Sequence, residues 1–300
     1  MRVLVLGAGG MLGRDLVAAG PPTVTVIPLT HAELDITDRM ALASRVAAER
    51  PNVILNAAAY TAVDKAEEDR QTAFRANAEA VGDLGRIAAR AGLTVIHFST
   101  DYVFDGQSPD PYPEEYAPNP LNTYGASKLA GEEALRTSGS QYLLIRTQWL
   151  FGTAGRSFPR TMWERAIAGT ASRVVCDQIG RPTFTLDLAH ATWRLIALAQ
   201  RGVIHVANAG TATWYDIARR VYISENEENL LESCTTEAFP TAARRPQQSV
   251  LDTTRLEQIL GGQLPHWEDG VDRFLAQLRA ARGSQASGPT QMLREPPTRP

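Results

Sequence analysis

A tyrosine and a lysine four residues apart predict proton-transfer chemistry. Tyr124 and Lys128 fall in a stretch with a helical pattern, so both side chains lie on one face of the predicted helix. A neighbouring ammonium group favours the ionised form of a phenol, whose reference pKa is about 10, and so lowers the cost of moving its proton. We therefore predict that Tyr124 is a general acid for carbonyl reduction and that Lys128 assists it.

A threonine upstream completes a possible catalytic set. Thr100 follows a run of residues, Leu93 to Ser99, that we predict to be a buried strand. A hydroxyl at such a strand end can hydrogen-bond a substrate oxygen as negative charge develops on it. Tyr-x-x-x-Lys alone usually marks an exposed helical pair, so the prediction of a reductase site depends on Thr100 and on a nearby cofactor site.

A glycine-rich loop near the first residue predicts that cofactor site. Gly7, Gly10 and Gly13 have the spacing Gly-x-x-Gly-x-x-Gly, and Met11 and Leu12 lie within it. The loop falls between a predicted strand and a predicted helix, which is the context that dinucleotide binding requires. Glycines permit a tight turn and a close approach of the backbone to a pyrophosphate, and the N–H groups of the helix start face the anion.

Further cofactor contacts are expected where predicted parallel strands end, because open α/β sheets bind ligands at that edge. In these positions the sequence has Ala57, Ala58, Ala59, Tyr60 and Ser99. The alanines leave room for a cofactor, although close packing of strand and helix would explain them equally well. Lys128 is expected to hold the nicotinamide ribose.

The residue that would select between NADH and NADPH is missing from its usual place. An acidic residue about 20 positions beyond the glycine loop normally binds the ribose 2′-hydroxyl. Here the end of the second predicted strand reads Leu29-Thr30-His31. Asp35 and Ile36 come later and are expected beside the adenine. We therefore predict NADPH as the cofactor, with NADH also compatible with the sequence.

These motifs make the sequence resemble the extended short-chain dehydrogenase/reductase superfamily and, within it, the dTDP-4-dehydrorhamnose reductase family. The resemblance covers roughly residues 2–280. Besides the glycine loop, it rests on residues 34–38, 56–67, 99–106, 124–132, 146–152, 177–183 and 245–251.

The resemblance implies reduction of a dTDP-linked 4-keto-6-deoxyhexose at C4, with hydride from NADPH or NADH and a proton from tyrosine. The most direct expectation is conversion of dTDP-4-dehydro-L-rhamnose to dTDP-L-rhamnose. The residues that match the family's catalytic triad are Thr100, Tyr124 and Lys128. Asn77 matches the asparagine on the helix behind the cofactor site, although a solvated helix residue would explain it equally well. Thr61, Val63 and Trp149 match the segments that meet the sugar, and Trp149 could equally be a core aromatic.

Two further residues are candidate substrate ligands. Asp101 follows the threonine, where it could contact substrate or satisfy backbone N–H groups. Related 4,6-dehydratases have an Asp-Glu pair there, whereas Tyr102 follows Asp101 in this chain, which favours ketone reduction over elimination of water. Arg245, in Arg244-Arg245-Pro246, could bind the substrate diphosphate, with a solvated basic turn as the alternative.

Other functions remain compatible with these residues. A related 4-ketoreductase of a natural-product deoxysugar pathway would use the same active-site design. The regulatory subunit of methionine adenosyltransferase resembles these reductases and acts mainly by binding a partner, although the presence of all three triad residues favours an enzyme. An acidic stretch, residues 224–234, departs from the family and leaves the substrate open.

Alternating strands and helices must position these residues. Short apolar runs predict strands at 3–6, 24–27, 53–55, 93–99 and 142–146, and helical patterns occupy 11–19, 40–50, 66–90 and 124–137. This order predicts an α/β fold, a Rossmann-like doubly wound parallel sheet with a smaller C-terminal substrate lobe. We expect an NAD(P)-binding domain at 1–150, a mainly substrate-binding lobe with some elements that return to the sheet at 151–282, and a disordered tail at 283–300.

The composition is that of an ordinary globular protein. The 300-residue chain has a formal net charge of −3 and 44% hydrophobic residues, which argues against nucleic-acid binding and general disorder. Its two cysteines, Cys176 and Cys234, support neither a disulfide framework nor a metal site, so we expect a cytoplasmic setting. No apolar run approaches the roughly 20 residues that span a bilayer, so no membrane association is expected. A homodimer is compatible with the sequence.

Overall fold

The computed structural model describes residues 1–286. Within these residues the strands are β1 (Arg2–Leu6), β2 (Thr25–Leu29), β3 (Val53–Asn56), β4 (Thr94–Thr100), β5 (Gln141–Thr147), β6 (Leu150–Phe151), β7 (Ser172–Val175), β8 (Ile179–Gly180), β9 (Thr183–Phe184), β10 (Gly202–His205), β11 (Ala212–Thr213) and β12 (Leu231–Cys234).

The α-helices in the same part of the chain are α1 (Met11–Ala18), α2 (Arg39–Glu49), α3 (Val63–Glu68), α4 (Arg70–Phe74), α5 (Ala80–Ala91), α6 (Thr123–Arg136), α7 (Phe158–Ile167), α8 (Thr185–Ala197), α9 (Trp214–Ser224), α10 (Thr254–Leu260) and α11 (Trp267–Ala286). A π-helix occupies Arg75–Glu79, and 3₁₀ turns occupy Asp101–Val103, Glu228–Leu230 and Thr236–Ala238.

Six parallel strands form the central sheet in the order β10-β5-β4-β3-β1-β2. Its inner strands are apolar and buried on both faces because helices cover each side. Val3 and Val5 of β1 pack into the cluster beneath α1 and α8, whereas Leu4 and Leu6 pack into the cluster beneath α2 and α5. The predicted doubly wound α/β fold is confirmed.

The elements beyond β5 divide between two places. Strand β10 pairs with β5, and α8 packs against α1, so both extend the first unit. Helices α7, α9 and α11 enclose a separate apolar cluster that includes Phe151, Trp163, Tyr222 and Phe274. Three two-stranded sheets, β6-β9, β7-β12 and β8-β11, border this cluster in the part of the chain described.

Two predicted elements differ from the structure. The single helix predicted over 66–90 is interrupted, because Asp69 ends α3 and its side chain caps α4, and the π-helix then precedes α5. The tail was predicted to begin at Gly283, whereas α11 continues to Ala286. The rest of that predicted tail lies outside the described residues.

Among the described residues, none of the helices is both long and apolar enough to cross a membrane.

Candidate active site

The glycine-rich loop joins β1 to α1 at the carboxyl edge of the central sheet. Gly7 has a φ of +75°, and a Cβ there would lie 2.6 Å from the backbone nitrogen of Ala58. A Cβ at Gly13 would collide with the Gly7 carbonyl oxygen. Gly10 caps α1, and its N–H donates to the Gly7 carbonyl at 3.0 Å. This tight turn and close packing of helix on strand therefore require glycine.

A cleft of about 870 Å³ opens beside this loop at the ends of β1, β2 and β3. Its size and its place at the sheet edge fit a dinucleotide. The predicted cofactor residues that line it are Gly7, Gly10, Asp35, Ile36, Ala57, Ala58, Ala59 and Tyr60.

Met11 and Leu12 were also predicted to bind the cofactor, but their side chains point elsewhere. Leu12 is buried in the apolar cluster beneath α1. The Met11 side chain lies beside Gly152, where a Cβ would be 2.9 Å from the Met11 Cγ. Only the backbone N–H groups of these residues, at the start of α1, are suited to bind an anion.

Two charged residues that sequence reasoning missed, Glu33 and Arg75, lie at or beside the end of the cleft next to β2. The Glu33 carboxylate accepts hydrogen bonds from the Thr30 N–H and hydroxyl, both at 2.8 Å. Arg75 of the π-helix lines the cleft together with Asp35. The Asp35 carboxylate accepts the Thr37 N–H at 2.9 Å, and this hydrogen bond lowers the Asp35 pKa. Glu33 is thus already occupied, and Arg75 adds a guanidinium group to this end of the cleft.

Asn77 lies behind the cleft rather than in it. Its side-chain amide exchanges hydrogen bonds with the backbone N–H and carbonyl of Tyr60, both at 2.9 Å, and donates to the Ser127 hydroxyl at 3.0 Å. A Cβ at Gly131 of α6 would collide with the Asn77 carbonyl oxygen. Asn77 therefore fixes the loop after β3 against α6, and the π-helix that carries it is a device often found at functional sites.

Tyr124 lies in the first turn of α6. Asn122 caps this helix by accepting the Gly125 N–H at 2.8 Å. Burial and, to a smaller extent, the charge of Asp101 raise the pKa of Tyr124 to about 12, and a hydrogen bond with Thr100 opposes the rise. The phenol is therefore protonated at neutral pH, as a proton donor must be.

Lys128, one turn further along α6, is buried. Its Nζ donates to the Phe98 carbonyl at 2.6 Å and lies 3.3 Å from His97 Nε2. Burial lowers the pKa of Lys128 to about 8, and the charge of Glu132 opposes this effect. The Phe98 carbonyl of β4, rather than the phenol, accepts a hydrogen bond from the Lys128 ammonium. Asp101 and Thr100 are the side chains that shift the Tyr124 pKa.

Asp101 is the centre of a small buried cluster at the end of β4. Thr100 donates its hydroxyl proton to one Asp101 carboxylate oxygen at 2.9 Å, and Ser249 donates to the other at 2.5 Å. Burial raises the pKa of Asp101 to about 7, although both hydroxyl groups stabilise its charge. Asp101 thus holds Thr100 and joins β4 to a segment far along the chain, a contact that sequence reasoning missed.

Ser99 was predicted to contact the cofactor but belongs to a buried ionic cluster. Its hydroxyl donates to Glu132 at 2.6 Å, and Arg146 of β5 forms a bidentate pair with Glu132 at 2.7 and 3.0 Å. All three side chains are buried. Ser99 therefore joins β4 to α6 beneath the site, and its hydroxyl does not face the cleft.

A second pocket, of about 420 Å³, lies near α7 and α9. Trp214 and Phe158 line it, and Trp149 stacks on Trp214 with ring centroids 3.8 Å apart. Trp149 has a φ of +49°, which only a few non-glycine residues adopt. Gly180 packs against its indole ring. The pocket thus has an aromatic wall that Trp149 supports from behind.

Arg245 lines the same pocket but is already paired. Its guanidinium group binds the Asp64 carboxylate through bonds of 3.0 and 2.8 Å, and Asp64 also accepts the Ala243 N–H. Val63 lies beside Asp64 at the start of α3 and is half-buried, whereas Thr61 is exposed. The structure thus brings Arg245 and Trp149 to one pocket, and neither Thr61 nor Val63 lines its wall.

Comparison with known proteins identifies the family. The model of the family described as RmlD substrate binding domain matches residues 1–280. The chain belongs to this family.

Relatives with assigned names match nearly the whole chain. A dTDP-4-dehydrorhamnose reductase from Escherichia coli K12 is 38% identical over 293 residues, 93% of this chain and 98% of that protein. A probable dTDP-4,6-dihydroxy-2-methyloxan-3-one 4-ketoreductase from Streptomyces antibioticus is 41% identical over 290 residues, 94% of this chain and 97% of that protein. The dTDP-4-dehydrorhamnose reductase of Bacillus anthracis, solved with NADP, has 35% identity and a TM-score of 0.88 over 92% of this chain and 99% of that one.

The resemblance to the dTDP-4-dehydrorhamnose reductase family, predicted from the motifs, is therefore confirmed. Sequence reasoning missed four functional candidates, Arg75, His97, Ser249 and Trp214. Each of them contacts residues that are distant in the sequence, so no local pattern identifies it. Ser249 lies within a segment that supports the resemblance, but its contact with Asp101 spans 148 residues and has no local signal.

Proposed function

We propose that this protein is an NADPH-dependent reductase of the C4 ketone of a dTDP-4-keto-6-deoxyhexose, with dTDP-4-dehydro-L-rhamnose as substrate and dTDP-L-rhamnose as product. The observation that carries the proposal is the position of a protonated, half-buried phenol, Tyr124, beside Thr100 and Asp101 at the carboxyl end of β4. The names of relatives that match more than nine-tenths of the chain supply the substrate class.

The residues of the cleft fit a dinucleotide. The loop from Gly7 to Gly13 would hold the pyrophosphate against the start of α1, and Ala57 to Tyr60 would border the cofactor. Arg75 would favour the 2′-phosphate of NADPH, because a guanidinium group is a good phosphate ligand and Glu33 is occupied by Thr30. When bound, the cofactor supplies the hydride for the ketone carbon.

The protein's part in the reaction is proton delivery. Tyr124 donates its phenolic proton to the ketone oxygen, and burial together with the charge of Asp101 raises the pKa of that phenol. Thr100 is held by Asp101 and borders the reacting oxygen. Lys128 binds the nicotinamide ribose with an N–H that the Phe98 carbonyl leaves free.

Substrate recognition is assigned to the second pocket. Its aromatic wall suits the flat thymine ring, with Trp214 as the stacking surface and Trp149 as its support. Arg245 would meet the diphosphate while Asp64 keeps its guanidinium group in place. We accordingly assign cofactor binding to residues 1–150 and most substrate contacts to residues 151–282.

A second candidate reaction is reduction of another dTDP-4-keto sugar in a natural-product pathway. The Streptomyces antibioticus relative, named as such a ketoreductase, has 41% identity to this chain, against 38% for the Escherichia coli reductase. The two candidates share Tyr124 and differ in the sugar that the second pocket accepts.

We also propose that the protein is cytoplasmic and forms a homodimer. Both cysteines, Cys176 and Cys234, are free thiols, which agrees with a reducing cytoplasm. A homodimer is the assembly we propose, and light scattering after gel filtration would give its mass.

The function is tested by mixing the protein with NADPH and dTDP-4-dehydro-L-rhamnose and following the loss of reduced-cofactor absorbance, with NADH in a parallel reaction. We expect oxidation that depends on the sugar and is faster with NADPH. Oxidation with other dTDP-4-keto sugars only would support the second candidate. Cofactor binding without oxidation of either kind would contradict the proposed reductase activity.

A further inference from the structure

The second pocket contains a charged side chain that the proposed function does not use. Arg173 of β7 lines this pocket together with Trp214 and Arg245. Its side chain is exposed, and no group among residues 1–286 pairs with its guanidinium group. Glu232 of β12 lies in register with Arg173, but the two side chains form no ion pair in this part of the chain. The Arg173 guanidinium group is therefore available to a ligand.

The neutral polar side chains of the pocket are already bonded within the protein. Gln178 accepts the indole N–H of Trp214 at 3.1 Å and donates its amide to the Thr236 hydroxyl at 3.0 Å. The Thr241 hydroxyl donates to the Ala243 carbonyl at 3.0 Å. These bonds fix the shape of the pocket, so the main free donor for a ligand must be a charged group.

Arg245, the other cation of the pocket, is largely occupied. One of its terminal nitrogens donates to an Asp64 carboxylate oxygen at 3.0 Å and to the Ala243 carbonyl at 3.2 Å. The other donates to the second Asp64 oxygen at 2.8 Å, and the Tyr102 hydroxyl is a further hydrogen-bond partner. Both terminal nitrogens thus face Asp64, so this pair of N–H groups cannot bind a phosphate at the same time.

The charges of the pocket point to an anion as its ligand. Asp64 and Arg245 form an ion pair and neutralise each other. Arg173 has no counter-charge among the described residues that line the pocket, so the lining carries one excess positive charge. A sugar-linked diphosphate has a negative charge on each phosphate, and the planar fork of a guanidinium group matches two phosphate oxygens.

We propose that Arg173 binds the diphosphate of the nucleotide sugar through two parallel N–H groups, and that Arg245, held by Asp64, adds a weaker contact. The inference rests on the proposed function, because that function assigns the second pocket to a dTDP-linked substrate. It places the main charged contact with this substrate on β7.

Three variants separate phosphate binding from a general effect of charge. Arg173→Met removes the guanidinium group and keeps an apolar stem, whereas Arg173→Lys keeps the positive charge without the planar fork. Arg136→Met is the matched control, because Arg136 is an exposed arginine in the last turn of α6 and does not line the pocket. The readouts are the dissociation constants of dTDP and thymidine, measured by calorimetry on the full chain with NADPH present, and the melting temperature.

We expect the dTDP dissociation constant of Arg173→Met to rise by about 10- to 100-fold, as for loss of a hydrogen-bonded contact with a charged group. The affinity for thymidine, which has no phosphate, should stay unchanged. Arg173→Lys should lie between Arg173→Met and the wild type, and Arg136→Met should match the wild type. Added salt should weaken dTDP binding more in the wild type than in Arg173→Met. The melting temperature of Arg173→Met should be that of the wild type, because the side chain is exposed and unpaired.

Equal dTDP affinities for Arg173→Met and Arg136→Met would overturn the inference. An equal loss of thymidine affinity in Arg173→Met would also overturn it, because Arg173 would then contact the nucleoside. If Arg173→Met does not fold, Arg173→Lys decides, with wild-type dTDP affinity as the contradicting result.

These titrations need no 4-keto sugar, so they are independent of the proposed reaction. A protein that binds dTDP with the expected differences but oxidises no NADPH with any dTDP-4-keto sugar would contradict the reductase activity and leave the role of Arg173 intact. Sugar-dependent oxidation of NADPH that is equally efficient in Arg173→Met and Arg136→Met would support the reductase activity and overturn the role of Arg173.

Discussion

Two buried polar clusters flank the candidate proton donor, and they are built in different ways. The Asp101 cluster (Thr100, Asp101 and Ser249) joins β4 to a segment 148 residues later in the chain. The lysine cluster (Lys128, His97 and Phe98) comes from β4 and α6 alone. The first therefore connects the candidate proton donor to residues 151–282, whereas the second lies within the cofactor-binding unit.

The clusters also differ in charge. Asp101 is a buried carboxyl group whose negative charge adds to the effect of burial in raising the Tyr124 pKa. Lys128 is a buried amine that is turned toward β4. A site arranged this way favours proton donation over proton removal, which is the direction that ketone reduction requires.

The largest expected effect comes from the residue between the two clusters. Tyr124→Phe removes only the acidic hydroxyl, so kcat should fall by about 10²- to 10⁴-fold while the NADPH dissociation constant stays unchanged. Steady-state rates and a fluorescence titration of NADPH would measure both. Tyr142→Phe, a half-buried tyrosine in β5, serves as the control and should keep full activity. A rate for Tyr124→Phe near that of the wild type would eliminate the phenol as the donor.

The next effect concerns the carboxylate. Asp101→Asn removes the charge that raises the Tyr124 pKa, so that pKa should fall. In the reverse direction, oxidation of the alcohol by NADP needs the phenolate, and the rise of its rate with pH should move to lower pH. Forward kcat should drop about 10-fold or more because Thr100 loses a charged hydrogen-bond partner. If the pH profile of the reverse reaction is the same in Asp101→Asn and in the wild type, Asp101 does not influence the pKa of Tyr124.

Asp101→Asn should also change how the stability of the protein depends on pH, in a direction that the raised Asp101 pKa predicts. The Asp101 pKa is raised to about 7 in the folded protein, so this carboxyl group stabilises the fold most at low pH, and that contribution is lost as the pH rises through about 7. Asp101→Asn removes this titration. Its free energy of unfolding relative to the wild type should therefore rise between about pH 5 and pH 8. Urea unfolding at the two pH values measures it, and a constant difference would mean that Asp101 has no raised pKa.

The smallest effect is expected at the distant member of the Asp101 cluster. Ser249→Ala removes one hydrogen bond to the carboxylate and should cost about 1.5–3 kcal/mol of stability, with a smaller loss of kcat than Asp101→Asn. Ser233→Ala, an exposed serine in β12, is the control and should change neither quantity. If the two serine variants behave alike, the Asp101 cluster does not extend to Ser249.

The same contrast explains how much the sequence could predict. The glycine loop, Thr100 and the Tyr124–Lys128 pair have local spacings, and the apolar runs that become β1 to β5 are short and continuous. The sheet, and the edge of it that carries the candidate site, could therefore be predicted. The Asp64–Arg245 pair spans 181 residues, and nothing in either segment signals it. The break of the helix predicted over 66–90 depends on Asp69 as a cap and on packing at Asn77, which helical periodicity does not report.

The central claim is reduction of a sugar ketone at C4, and deuterium transfer tests it most directly. The protein would be incubated with dTDP-4-dehydro-L-rhamnose and NADPH deuterated at the transferable position, and the product analysed by NMR. We expect dTDP-L-rhamnose with deuterium at C4 of the sugar. Consumption of NADPH without label at C4, or no consumption while NADPH binds, would contradict the claim.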